Sequence, residues 1–100
     1  MVTWQPQAQA HLRNIYRHIA KDSVNIAQRI VLELTERTRP LAEFPFTGKV
    51  VPETNDPNLR EVHAHSWRIL YQVRQRDVFI IAVLHQRQQF AFEDIQALRS

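Results

Sequence analysis

The sequence predicts an α+β domain: a short N-terminal strand, an antiparallel helical hairpin, then a three-stranded antiparallel meander, with the helices on one face of a single sheet. Three observations lead there. Apolar residues recur at helical spacing from Ala8 to Leu34, they alternate with polar ones from Leu59 to Arg74, and an unbroken apolar run follows at 78–84. The chain has 100 residues, which suits one domain with one modest core.

The apolar start around Val2 and Trp4 supplies the first strand. Pro6 then opens a helix, because its fixed φ is pre-organised for a first helical turn. Ala8, Leu12, Ile15, Tyr16 and Ile19 share one face, and Gln9, Arg13, Arg17 and Lys21 the other. Asp22 and Ser23 supply such oxygens for a second helix through Ala27, Ile30, Val31 and Leu34. With almost no linker, the two helices form a hairpin. Pro40 ends the regular helix near Thr38 or Arg39, and Leu41 packs from a final irregular turn. Pro45, Gly48, Pro52 and Pro57 dominate the loop that follows. Gly48, the only glycine, is expected to hold a backbone conformation that other residues resist.

From Leu59 the period is two. Arg60, Val62 and Ala64 alternate with Glu61, His63 and His65, and His65-Ser66 makes a turn. Trp67, Ile69, Tyr71 and Val73 then share a face opposite Arg68, Leu70, Gln72 and Arg74. Gln75-Arg76-Asp77 is a polar hairpin turn. The β-branched run at 78–84 suits a central strand buried on both faces, and 92–98 supplies one or two helical turns.

Composition narrows the function. Hydrophobic residues make up 44% and charged residues 23%, which argues against wholesale disorder. The absence of cysteine excludes disulfides, thiolate zinc sites, iron–sulfur clusters and thiol nucleophiles. No apolar run reaches the roughly 18 residues of a membrane span, and no cationic-then-apolar leader is present, so a cytoplasmic protein is expected. The net charge is +3, and 11 of the 13 basic residues are arginine. Five of them, Arg60, Arg68, Arg74, Arg76 and Arg87, lie between Asn58 and Phe90 against only Glu61 and Asp77. That excess marks the C-terminal half as the expected contact surface.

Several fragments, in order, resemble one family: Trp4-x-Pro6-x-Ala8 with Leu12 and Ile15, Asp22-Ser23 with Ala27, Leu41-x-x-Phe44-Pro45-x-x-Gly48 and Val51-Pro52-Glu53. Arg60-Glu61-Val62, Trp67-Arg68-Ile69-x-Tyr71 and Val83-x-His85-x-Arg87 continue the series. Together they resemble the RelE/ParE superfamily of bacterial type II toxins over nearly the whole chain, and the ParE branch most. Gln5 stands where many relatives have a Ser cap, and Trp67 replaces a common Tyr. The resemblance implies a cytoplasmic toxin neutralised by a cognate antitoxin, ParD-like and ribbon-helix-helix with a disordered toxin-binding tail. It implies DNA gyrase as the target in the ParE branch, or ribosome-dependent cleavage of messenger RNA in the RelE branch.

Arg60, Arg68, Arg74, Arg76 and Arg87 are therefore the expected antitoxin- or target-binding residues, with Arg60 and Arg68 also readable as sheet-edge salt bridges. The Arg60–Arg68 surface is expected to matter more for the antitoxin than Arg13 and Arg17 on the first helix. Under the nuclease alternative, Arg68 and Arg87 would bind phosphate, and His85 or His63 would exchange protons. Glu61 would serve there as a base. Against that alternative, the stretch 86–90 ends in Phe90, which has no hydroxyl. Both tyrosines, Tyr16 and Tyr71, fall on apolar faces and read as core residues, and both tryptophans as packing residues. His63 and His65 have no third ligand at motif spacing, so no metal is expected. No cofactor, membrane contact or direct DNA contact by this chain alone is expected. Self-association through the helix pair is open.

Overall fold

A computed structural model describes residues 1–88 and 92–99. Its elements are β1 (Val2–Trp4), α1 (Pro6–Ala20), α2 (Val24–Thr38), a 3-10 turn (Arg39–Ala42), β2 (Lys49–Val50), β3 (Leu59–Ala64), β4 (Trp67–Arg74), β5 (Asp77–His85) and α3 (Phe92–Arg99). The five strands form one sheet in the order β1-β5-β4-β3-β2. β1 runs parallel to β5, with Val2 opposite Val78 and Trp4 opposite Ile80, and every other pair is antiparallel.

The hairpin of helices covers one face of this sheet. Ala8, Ile30, Leu34 and Leu41 pack there against Val62, Ile69, Tyr71, Val73, Val78, Ile80 and Val83. The other face has its own core, in which Val51, Leu59, Leu70, Ile81, Ala82 and Leu84 meet Ile95 of α3. Helices thus lie on both faces, not one, because the short third helix returns to the side opposite α1 and α2. The unbroken apolar run at 78–84 follows from this two-sided burial and from a bulge. Leu70 pairs with Ala82 and Tyr71 with Ile80, leaving Ile81 unpaired. The extra residue reverses the alternation, so Ile81 and Ala82 point to the same side.

Local chemistry sets the helix ends. The Ser23 hydroxyl accepts the Ile26 N–H at 3.1 Å, and α2 stops at Thr38 before the Pro40 turn that buries Leu41. Gln5 makes no side-chain cap. Gln5→Ser is therefore expected to stabilise the fold by about 1 kcal/mol, read as a rise in Tm of about 4–8 °C on thermal unfolding.

Two segments differ from the sequence-based expectation. Lys49–Val50 is a strand paired to Glu61 and Arg60, too short for periodicity to reveal. The last hairpin turn is only Gln75-Arg76, both at positive φ (49° and 72°), and Asp77 already pairs with Arg74. Gly48 also differs. Its φ is not positive; space makes glycine necessary there. A Cβ would lie 2.6 Å from the Glu61 carbonyl oxygen and 2.6 Å from the Tyr71 hydroxyl. That hydroxyl accepts the Gly48 N–H at 2.9 Å and donates to the Pro45 carbonyl at 2.7 Å, so Tyr71 is a core residue with both hydroxyl roles filled.

A histidine continues the sheet edge where β1 ends. The last backbone bond from this segment to β5 is Gln5 N–H to the Ile80 carbonyl, 2.9 Å. Beyond it, His11 Nδ1 on α1 accepts the Val83 N–H at 3.1 Å. An accepting Nδ1 must be unprotonated, and burial lowers the His11 pKa below its ordinary 6.5. The unfolded chain then binds this proton more readily. The associated stability is complete above pH 6.5 and declines as pH falls below it. Denaturant titrations between about pH 8 and about pH 5 should show a loss of stability with acid that His11→Gln reduces.

Candidate functional site

Between α1 and α2 lies an open groove of about 430 Å³. Gln9, Leu12, Arg13 and Tyr16 line it at helical spacing from α1, Val31 and Thr35 one turn apart from α2, and Trp4 from β1. The Thr35 hydroxyl donates to the Val31 carbonyl at 2.7 Å, so its polar group is satisfied inside the helix. Leu12 and Trp4 rest partly on the core. Tyr16 does not belong to the core, contrary to its apolar-face position, and stands half-buried in the groove wall. Gln9 and Arg13 give the rim its polarity. This shape suits an amphipathic helix laid across it.

The second feature is a buried ion cluster on the face that carries α3. Arg68 is 6% exposed and Glu61 2%. Arg68 forks onto Glu53, Nη1 to Oε2 and Nη2 to Oε1, both 2.8 Å. It also meets Glu61, through Nη2 at 2.6 Å and Nε at 3.3 Å, and gives Nη1 to the Gln88 carbonyl at 3.3 Å. All five guanidinium N–H groups therefore have acceptors. The hydrogen-bonded carboxylates, Glu53 foremost, raise the Arg68 pKa above its already high ordinary value. Glu61 also holds the His63 ring. A polar cleft of about 430 Å³ opens beside the cluster, edged by Lys49, Pro52, Gln86 and Gln88.

This placement realises the salt-bridge reading of Arg68. It offers no free donor to a phosphate or to an acidic partner, because it ties together strands β3 and β4, the loop carrying Glu53 and the segment leading to α3. The other arginines are scattered. Arg60 sits on the opposite sheet face, donating to the carbonyls of Pro57 (2.9 Å), Phe46 (3.3 Å) and Gly48 (2.9 Å). Arg74 and Arg76 are exposed at the far end of β4 from Arg68, about 20 Å along the strand. The Arg74 guanidinium lies 4.5 Å from the Phe79 ring centre. Arg87 is exposed, and its N–H donates to His85 Nδ1 at 3.2 Å. The His85 ring stands edge-on to Trp67, 6.3 Å between centres. Gln89 and Phe90 lie outside the described residues.

Neither the groove nor Glu53 figured among the expected site residues. The clue to the groove was the width of the α1 stripe: Leu12 and Tyr16 extend it beyond Ala8, Ile15 and Ile19.

The family model for the ParE toxin of the type II toxin-antitoxin system parDE matches residues 2–90. The chain belongs to the ParE toxin family. A search of curated proteins finds no match. Among solved structures, this ParE-family chain resembles one from the chromosomal ParDE TA system of P. aeruginosa, with TM-score 0.69 and 21% identity over 84% of this chain and 92% of that one. It also resembles the YoeB dimer of Staphylococcus aureus, with TM-score 0.55 and 15% identity over 84% and 93%. A chain of the heterotetrameric YoeB-YefM toxin-antitoxin complex from the same organism gives 0.52 and 13% over 85% and 94%. At these identities the likeness establishes the shared fold. Among the described residues of this ParE-family toxin, no helix is long and apolar enough to cross a membrane.

Proposed function

We propose that this ParE-family toxin acts in the cytoplasm by occupying DNA gyrase, and that a ParD-like antitoxin neutralises it by laying an amphipathic segment into the α1–α2 groove. The observation that carries the first half is the saturation of Arg68. One of the two arginines expected to bind phosphate, Arg68, is fully engaged by Glu53 and Glu61, which favours action by occupancy over bond-breaking. The second half rests on the groove, where Trp4, Leu12 and Tyr16 offer apolar anchorage and Arg13 offers a cation to an acidic partner.

This reading reverses the expected ranking of arginines, placing Arg13 ahead of Arg60 and Arg68 for the antitoxin. Tyr16→Ala should weaken the antitoxin complex about 10- to 30-fold by calorimetry, while Arg74→Ala leaves it unchanged. Equal losses from both would place the contact elsewhere. For the target, purified toxin should inhibit supercoiling by gyrase at micromolar concentration and leave messenger RNA on ribosomes intact. Codon-phased RNA cuts with undisturbed supercoiling would replace gyrase with the ribosome.

A further inference from the structure

The Phe44-Pro45-x-x-Gly48 segment is only half explained by packing. Its backbone is held from several directions. Tyr71 ties Pro45 and Gly48, Arg60 donates to the Phe46 and Gly48 carbonyls, and the Thr47 hydroxyl donates to the Phe44 carbonyl at 2.8 Å. Yet its two phenylalanines point away from the core, Phe44 60% and Phe46 49% exposed. A loose loop exposes apolar rings in passing; a braced one presents them. Rings on a braced loop lose little entropy when a partner covers them, which is the usual setting of a binding hot spot.

The charges around the rings point to the partner. Glu43, Phe44, Pro45, Phe46, Thr47 and Arg76 line a cleft of about 330 Å³, and the Arg60 guanidinium lies 5.1 Å from the Phe46 ring centre. No ion pair among the described residues involves Arg60 or Arg76, so two cations face one carboxylate, Glu43, without internal compensation. Arg76 and its neighbour Gln75 both hold left-handed backbone, at a cost of about 1–2 kcal/mol per residue, where Asn-Gly would relax the turn.

We infer that the Phe44–Phe46 loop with Arg60 and Arg76 is a second docking surface, one that receives an acidic protein segment bearing an apolar anchor, and that this segment belongs to the toxin's target. The inference rests on the reading above that the chain acts by occupancy. It shares no residue with the α1–α2 groove, so target and antitoxin contacts are separable by mutation.

The test expresses the full chain and two variants, Phe44→Ala/Phe46→Ala and Arg76→Glu, each shown by thermal unfolding to remain folded. Growth arrest, capture by a ParD-like antitoxin, and inhibition of gyrase supercoiling are measured in parallel. The expected result is at least a tenfold loss of growth arrest and of inhibition in both variants, with antitoxin capture unchanged. Variants that arrest growth like the unmodified chain overturn the inference, as do variants that lose antitoxin capture by the same factor. Binding of a fluorescein-labelled oligothymidylate that both variants abolish overturns it in favour of nucleic acid. Unmodified chain that arrests growth without touching supercoiling removes gyrase as the target and leaves this surface to be judged on growth arrest. Unmodified chain that is harmless removes both proposals.

Discussion

Arg68→Met is expected to lower the unfolding free energy by about 3–5 kcal/mol, measured by urea denaturation at neutral pH. The side chain is buried, and removing it takes away the guanidinium that Glu53 and Glu61 share and leaves carboxylate acceptors unmatched. Coulomb repulsion and desolvation then act in the same direction. Arg68→Lys keeps the charge but loses the fork, since one ammonium cannot make two parallel bonds to Glu53 while also reaching Glu61. It should fall between the two. Because Arg68 also holds the Gln88 carbonyl, proteolysis of the Arg68→Met variant should begin in the segment before α3. A loss below about 1 kcal/mol would mean that the cluster is no more than a solvated surface pair.

Gly48→Ala is expected to destabilise the fold by about 3 kcal/mol, at the upper end of ordinary overpacking. The added methyl meets a backbone carbonyl, which cannot rotate away, and the Tyr71 hydroxyl, which is fixed by two hydrogen bonds. Tyr71→Phe alone should cost about 1–3 kcal/mol, through the unpaired Gly48 N–H and Pro45 carbonyl. The double variant should lose less than the sum, since the phenylalanine removes one of the two collisions. Strict additivity in that cycle would show that the Glu61 carbonyl alone sets the penalty.

The parts of this molecule that were legible in the sequence are those governed by neighbours along the chain. Pro6, Ser23 and Pro40 act on their own helices, and the alternation from Leu59 to Arg74 is a property of each strand, so the elements could be read in order. The fate of Arg68 was not legible. Alternation correctly set it opposite Ile69 and Tyr71, but whether that side meets water depends on α3 and the loop around Glu53, which arrive from other parts of the chain. The groove was hidden for a similar reason. Tyr16 sits on the apolar stripe of α1 by spacing, and only the distance at which α2 packs decides whether it is covered. Gly48 was recognised as special for the wrong cause, since the crowding comes from Tyr71 and Glu61, more than ten positions away.

The parallel pairing of β1 with β5 also constrains the order of events during synthesis. Val2 finds Val78 only after the chain has emerged as far as β5, and until then neither that ribbon nor the core beneath it can close. Long-range closure of this kind is slow compared with forming the helical pair, which needs only local contacts. The contacts of the helical pair are thus available before those of the sheet behind it. A partner that recognises the paired helices can reach them before that sheet closes.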